Sequence, residues 1–393
     1  MTKTLSCPGW TPPKAGMLPN MVEELWRQLT VASVYMGIVV GAGFASGQEV
    51  LRFFSVFGMR GFWGLLLAGL FFALLGWSVL QIGHEQQARS HRPVVSAALG
   101  HTAGRIMDLF ITLTLFGVFT FMAAGAGAVF EQQYGLSAWL GSLLLIVLTV
   151  ATILLGFGSV IRSIGIFAPV LLLAVLVISF QSLLRHSDFS APLDLRTAVQ
   201  PPIAYWPLSS LIYVSFNFVL AVAVLAPLGR GSQTHATRIG GAVLGGAALF
   251  LAALGIHLAL LAHLPTSAQV DVPMLAIAET ISPATGTFYG WIILAEVYTS
   301  AVGSLYGFTA RITDSLGVPF GATALWSGLL ALAVSRLGFT TLVETLLPFT
   351  GLLGLFLVGG LSFWFLRRTS RNLMRYDYGA FRQFISYRSR RKS

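Results

Sequence analysis

The chain of 393 residues has few charged residues and a single cysteine. Only 10% of its residues are charged and 55% are hydrophobic, whereas about a quarter of the residues of a soluble protein are charged. The one cysteine, Cys7, excludes an internal disulfide and a metal centre built from several cysteines. This composition predicts a polytopic membrane protein and excludes an ordinary soluble domain.

Motifs of the common enzyme classes are also missing. The sequence has no Walker loop, no His-Glu-x-x-His zinc motif and no nucleophile elbow in a strand–helix context. Gly41 and Gly43 lack the third glycine of a dinucleotide-binding fingerprint, and they lie inside an apolar run. We therefore expect neither an enzyme nor an organic cofactor.

Apolar runs of about 20 residues, the length that crosses a bilayer, recur along the chain. We predict ten spans, at residues 26–57, 61–83, 103–131, 137–156, 160–185, 205–228, 237–263, 284–310, 320–336 and 339–366. The polar segment before the eighth span is expected to carry a short helix around residues 274–280.

The distribution of positive charge predicts the orientation, because cytoplasmic segments of membrane proteins are enriched in Lys and Arg. With the N-terminus inside, 19 of the 24 basic residues fall on the cytoplasmic side, nine of them in the last 27 residues. The net charge of +10 thus indicates topology and attraction to anionic lipids, with no nucleic-acid partner. We expect a multi-pass protein of the bacterial inner membrane with both termini in the cytoplasm. The basic tail either lies on the inner leaflet or is solvated.

The first span contains the most informative stretch, Gly37-Ile-Val-Val-Gly-Ala-Gly-Phe-Ala-Ser-Gly-Gln-Glu49. Its four glycines weaken a helix, and lipid cannot satisfy the backbone groups that a break sets free. A charged residue at this depth is costly and points to function. The stretch predicts a broken membrane helix at a binding site.

Five spans on each side of a polar loop predict an internal repeat. The sixth span carries Ser215 and Asn217 early and Pro227 late, and we expect it to be interrupted like the first. The predicted fold is an all-α polytopic membrane protein with a 5+5 inverted repeat and broken helices 1 and 6. Its predicted parts are a cytoplasmic tail (1–25), a first repeat (26–185), an extracellular loop (186–204), a second repeat (205–366) and a basic cytoplasmic tail (367–393).

Few acidic residues lie within the spans. Glu49 and Arg52 share a helix face, so they either form a local ion pair or leave Glu49 to bind an amine, a proton or a cation. Glu344 of the last span is a candidate partner of Arg52 in an extracellular gate. Thr299 and Ser300 are adjacent hydroxyls that suit a small cation, although such residues also bond back to their own helix or join helices together.

The segment Gly41-Ala-Gly-Phe-Ala-Ser-Gly-Gln-Glu49, with the Asn217 region, resembles the signature of the YkvI-like bacterial membrane protein family. That family resembles the amino acid–polyamine–organocation transporters, with the LeuT-like fold of the neurotransmitter:sodium symporters. The resemblance implies a sodium site made of the carbonyls of Gly37, Val40 and Glu296 and the hydroxyls of Thr299 and Ser300. It also implies that spans 1, 2, 6 and 7 rock as a bundle against the other spans.

These observations predict a secondary active transporter, sodium-coupled, that carries an amino acid or related small amine by alternating access. The expected substrate-binding residues are Gly43, Ala45, Ser46, Gly47, Glu49, Tyr213, Ser215, Phe216 and Asn217. Three alternatives stay open: proton coupling through Glu49, a ligand sensor or receptor subunit that transports nothing, and a channel.

Overall fold

The computed structural model describes residues 21–185, 201, 203–264, 267, 269–270, 272–337 and 350–370. Within these ranges the chain is helical and contains no β-strand. The α-helices, in chain order, are α1 (Met21–Val39), α2 (Ala42–Ala45), α3 (Gln48–Phe53), α4 (Arg60–Glu85), α5 (Arg92–Leu99), α6 (His101–Tyr134), α7 (Ala138–Leu154), α8 (Phe157–Arg185), α9 (Trp206–Gly231), α10 (His235–Ala262), α11 (Pro273–Ile281), α12 (Pro283–Leu316), α13 (Phe320–Val334) and α14 (Thr350–Ser370).

Six of these helices are long and apolar enough to cross a membrane, namely α4, α6, α8, α9, α10 and α14. Two further apolar helices, α7 and α13, are shorter. The helices follow the predicted spans closely, and α11 occupies the position expected for the short helix before the eighth span. The count of ten spans and the 5+5 repeat stay predictions.

The first predicted span is divided into α1, α2 and α3, which confirms the break in helix 1. The expected break in helix 6 is wrong, because α9 runs without interruption from Trp206 to Gly231. No glycine lies between Trp206 and Leu228 to weaken this helix, and Pro227 removes a donor only near its end.

Glycines bring α4 and α9 into direct backbone contact. A Cβ atom on Gly83 would clash with the carbonyl of Ala226, and one on Gly229 would clash with the carbonyl of Leu80. Helices in a membrane associate through such close packing, because lipid supplies no hydrophobic drive between them. The two reciprocal approaches therefore fix α9 against α4.

The same end of the bundle carries two charged junctions. Arg311 of α12 donates to both carboxylate oxygens of Asp108 on α6, at 2.6 and 2.5 Å, and His91 Nε2 lies 3.1 Å from Asp108 Oδ1. His91 directly precedes α5. The junction joins α6, α12 and the start of α5.

The second junction joins α14 to α4. Arg368 pairs with Glu85, and its guanidinium carbon lies 5.9 Å from the ring centre of Trp77 and 5.2 Å from that of Trp364. Cation–π contacts of this kind add to the ion pair with Glu85 in holding the side chain of Arg368. The far end of α14 is thus fixed to the end of α4.

Candidate functional site

The break in the first span has two parts. α1 ends at Val39, and Gly41 is extended, with φ −121° and ψ −175°. One helical turn follows as α2, after which Gly47 adopts a left-handed conformation with φ +85° before α3 begins. Glycine adopts that conformation without the strain that a side chain would cause.

The first part of the break leaves backbone oxygens free. Val40 N–H closes α1 by donating to the carbonyl of Met36, at 2.8 Å. Within the described ranges, the carbonyls of Gly37 and Val40 accept no backbone hydrogen bond. Unpaired carbonyls inside a membrane protein need another partner, such as water, a side chain or a cation. These are the two carbonyls predicted for the sodium site.

Neighbouring helices hold the second part of the break. Tyr289 of α12 donates its hydroxyl hydrogen to the carbonyl of Ala45, at 2.6 Å. The N–H of Met274 in α11 donates to the carbonyl of Ser46, at 3.0 Å, and Gln48 Nε2 donates to the carbonyl of Val270, also at 3.0 Å. The protein itself therefore satisfies several of the backbone groups that the break exposes.

The predicted hydroxyl ligands lie on α12, and they point in different directions. Ser300 Oγ lies 3.3 Å from the place that a Cβ atom on Gly41 would occupy, so it faces the break. Thr299 Oγ1 lies 3.1 Å from the carbonyl oxygen of Glu296 and 3.1 Å from its Oε2. Thr299 thus bonds back to its own helix, whereas Ser300 is positioned as a ligand would be.

Glu49 of α3 folds back over the break. A Cβ atom on Gly43 would lie 2.9 Å from Glu49 Cδ and 3.0 Å from its Cγ, so the missing side chain leaves room for this carboxylate. Glu49 Oε2 is buried and has no hydrogen-bond partner within the described part of the chain. No ion pair joins it to Arg52, whose side chain is exposed, and the local-pair interpretation is therefore wrong.

The candidates on α9 have different surroundings. Tyr213 is 1% exposed and has a buried hydroxyl without a partner among the described residues. Ser215 Oγ donates to the carbonyl of Gly351 on α14, at 2.5 Å. Asn217 Nδ2 donates to the carbonyl of Tyr213, at 2.9 Å, and Phe216 is half-buried. Tyr213 packs against Phe53 of α3, the helix that carries Glu49, while Ser215 and Asn217 bond to backbone carbonyls.

Aromatic residues that the sequence did not single out surround Tyr213. Its ring centre lies 5.5 Å from that of Phe53, 5.0 Å from that of Phe54 and 6.1 Å from that of Phe72. A small cavity, with room for about one water molecule, is lined by Tyr213, Phe54, Phe72 and Phe44 together with aliphatic residues of α4 and α10. Among 29 phenylalanines, no sequence spacing distinguishes these from lipid-facing ones.

Two predicted features lie outside the described residues. Glu344, the candidate gate partner of Arg52, falls within 338–349, and the basic tail beyond Ser370 is not described either. The gate and the lipid contact of the tail stay predictions.

No family model matches the sequence of this chain. Individual proteins are nevertheless similar to it in sequence or in structure. The chain is 33% identical over 333 residues to the "Uncharacterized membrane protein YkvI" of Bacillus subtilis (strain 168), covering 84% of this chain and 94% of the relative.

Solved structures show the same fold at low sequence identity. MhsT in complex with L-phenylalanine superposes with a TM-score of 0.61 at 15% identity, covering 84% of this chain and 87% of MhsT. A Na⁺-coupled sialic acid symporter, solved in a substrate-bound outward-open state, gives a TM-score of 0.60 at 14% identity, covering 84% of this chain and 78% of the symporter. This chain therefore has the fold of these membrane proteins.

Proposed function

This chain belongs to the YkvI family of bacterial membrane proteins, and we propose that it is a secondary active transporter that couples sodium to the uptake of a small amine or amino acid. The observation that carries the proposal is the break in helix 1, where the carbonyls of Gly37 and Val40 accept no backbone hydrogen bond within the described ranges and Ser300 faces Gly41. Broken helices within transporters supply backbone groups to ions and substrates at the midplane.

Hard oxygen atoms suit a sodium ion, and the residues at the break offer them. The ion would be held by the carbonyls of Gly37, Val40 and Glu296 and by the hydroxyls of Thr299 and Ser300. Thr299 donates its hydroxyl hydrogen to Glu296, and the lone pairs of its oxygen stay available to an ion. The carbonyls of Gly37 and Val40 belong to the group of four at the end of α1, residues 37–40, that accept no backbone hydrogen bond within the described ranges, and this supports an ion at the end of α1.

The substrate would lie at the second part of the break. The carboxylate of Glu49 and the hydroxyl of Tyr213, both buried and without partners among the described residues, suit an ammonium group. The backbone from Gly43 to Gly47 would receive the rest of the polar substrate. The aromatic rings around Tyr213 favour a substrate with an apolar portion.

The protein would lie in a bacterial inner membrane with both termini in the cytoplasm. Alternating access would move one group of helices as a unit, namely α1, α2, α3, α4, α9 and α10. Glycine contacts fix α4 to α9. The inner end of α1 is fixed to α10, because Glu24 Oε1 accepts hydrogen bonds from Thr234 and Thr237, at 2.7 and 2.6 Å. Contacts of both kinds support a bundle that moves as one body.

Uptake into proteoliposomes with imposed gradients tests the proposal. We expect an inward sodium gradient to drive accumulation of a radiolabelled amine or amino acid, and we expect Ser300→Ala and Thr299→Ala to reduce the dependence on sodium. Thr287→Ala is the matched control, since Thr287 is an exposed threonine of the same helix. If sodium never drives uptake, sodium coupling is wrong; if ligand binds without net uptake, the protein is a sensor.

One observation favours a second candidate, proton coupling through Glu49. Its Oε2 atom is buried without a partner among the described residues, and a carboxyl group in that position is readily neutralised by a proton. A pH gradient would then drive uptake without sodium, and Glu49→Gln would abolish this drive. Uptake by the Gln variant that still follows the pH gradient would exclude Glu49 as the proton site.

A further inference from the structure

The side chain of Glu296 is buried on the face of α12 that packs against the break in helix 1. Tyr289, Glu296 and Gly303 are spaced by seven residues, so they lie almost in line along this helix. Ser300, four residues after Glu296, shares this face.

Contacts on either side of Glu296 locate it opposite the break. Tyr289 reaches the carbonyl of Ala45, and Ser300 faces Gly41. Further along, a Cβ atom on Gly303 would clash with the side chain of Ile38. The helix α12 and the broken segment of helix 1 therefore run in opposite directions. This places Glu296 at the level of α2, between the two parts of the break.

The carboxylate of Glu296 has only part of the partners that it needs. The residue is 1% exposed, and its Oε2 accepts one hydrogen bond, from Thr299. Its Oε1 is buried with no hydrogen-bond partner in the described part of the chain, and none of the ion pairs found there includes Glu296. A buried carboxylate without a counter-charge is strongly disfavoured, so a bound cation would stabilise it.

We propose that the side-chain carboxylate of Glu296 is itself a ligand of the transported sodium ion, in addition to its backbone carbonyl. This inference rests on the proposed sodium coupling and specifies its site. The Thr299 hydroxyl oxygen already lies 3.1 Å from the carbonyl oxygen of Glu296 and 3.1 Å from its Oε2. An ion held there is coordinated by the lone pairs of these oxygen atoms and gives Oε1 the partner that it lacks.

A carboxylate ligand changes the charge balance of the site. Carbonyl and hydroxyl ligands alone would leave one positive charge inside the membrane, whereas the Glu296 carboxylate neutralises a monovalent ion. Charges of opposite sign attract strongly at contact distance in a medium of low dielectric constant. The site therefore takes up sodium as a neutral unit, and removal of the carboxylate weakens sodium binding even without substrate.

Sodium binding to the purified full-length protein tests this inference without transport. The thermal unfolding midpoint is measured against NaCl concentration, with choline chloride holding ionic strength constant, and ²²Na⁺ binding is measured in parallel. We expect Glu296→Gln to raise the apparent sodium Kd by about tenfold or more, and Glu296→Asp to raise it less. Glu279→Gln is the control, because Glu279 is an exposed glutamate of α11.

The possible results separate this inference from the proposed function. If the wild type shows neither stabilisation by NaCl nor ²²Na⁺ binding, sodium coupling itself is wrong and the Glu296 site is wrong with it. If the wild type binds ²²Na⁺ and Glu296→Gln binds it equally well, only the Glu296 inference is overturned.

Glu296→Asp decides the matter if the Gln variant does not fold, since an unchanged Kd in the Asp variant also overturns the inference. A fall in substrate affinity with unchanged ²²Na⁺ binding would assign the carboxylate to the substrate amine and likewise overturn it.

Discussion

Tyr289 reaches from α12 to the last residue of α2 and donates a hydrogen bond of 2.6 Å to the carbonyl of Ala45. The tyrosine is fully buried, and Ala45 O belongs to the second part of the break. Because nothing else among the described residues is bonded to this carbonyl, Tyr289 is its one donor there, and with the Met274 N–H on the carbonyl of Ser46 it holds the end of α2.

Removal of that hydroxyl should loosen the break. Tyr289→Phe leaves the buried carbonyl of Ala45 without a donor, which typically costs about 1–3 kcal/mol. We expect a lower thermal unfolding midpoint and weaker sodium and substrate binding. Tyr298→Phe is the control, since Tyr298 lies on the same helix but bonds to the hydroxyl of Thr152, away from the break. Equal binding by the two variants would contradict the role of Tyr289.

The position of the Glu49 carboxylate depends on the lack of a side chain at Gly43. A methyl group there would lie 2.9 Å from Glu49 Cδ, so Gly43→Ala should displace the carboxylate and reduce substrate affinity by about tenfold or more. The shorter side chain of Glu49→Asp should partly restore binding in the double variant. Substrate titrations of the two single variants and the double variant measure the coupling. Additive losses would mean that Gly43 acts on binding by another route.

Backbone contact between α4 and α9 should make two glycines intolerant of any side chain. Gly83→Ala and Gly229→Ala each place a methyl group against a carbonyl of the facing helix, so we expect a loss of stability of about 1–3 kcal/mol or a failure to fold. Gly290→Ala is the matched control, because no atom lies within 4 Å of its Cβ position. There we expect a gain of up to about 1 kcal/mol from helix propensity. Midpoints of thermal unfolding in one detergent compare all three.

The Asp108–Arg311 pair should be costly to break from either side. Asp108→Asn leaves Arg311 as a buried charge without its partner, and Arg311→Met leaves the buried Asp108 carboxylate with only His91 beside it; the removal of one partner of a buried pair typically costs about 3–5 kcal/mol. We therefore expect Arg311→Met and Asp108→Asn each to destabilise the protein, and the double variant to be less unstable than the sum of the two. Thermal unfolding of the four proteins gives the coupling energy. A double variant as unstable as the sum would show that the pair contributes no interaction.

The sequence predicted those parts of the structure that follow from local chemistry. Apolar length located the helices, and the glycines of the first span located its break, since glycine acts on the backbone at its own position. The continuity of α9 was not predictable in this way. Ser215 and Asn217 looked like residues of a break, yet Ser215 donates to the carbonyl of Gly351 on α14, which only the fold brings close, and Asn217 donates back to the carbonyl of Tyr213 in its own helix.

In the candidate site, too, some residues were predictable from the sequence and others depend on the fold. Ser300 and Glu49 were found from their types and positions, and both are near the break. Tyr289 and Met274 were missed, because a tyrosine and a backbone N–H in a distant segment carry no pattern that points to Ala45 or Ser46. The direction of the Thr299 hydroxyl was also not determined, since both alternatives satisfy the same spacing.

The guanidinium of Arg368, placed against Trp77 and Trp364, has a consequence for observing the protein at work. An adjacent positive charge alters the fluorescence of an indole ring, and two of the nine tryptophans therefore carry a signal that depends on the separation of α14 from α4. A change in emission on addition of sodium or substrate, lost in Arg368→Gln, would time the movement of these two helices in the unlabelled protein.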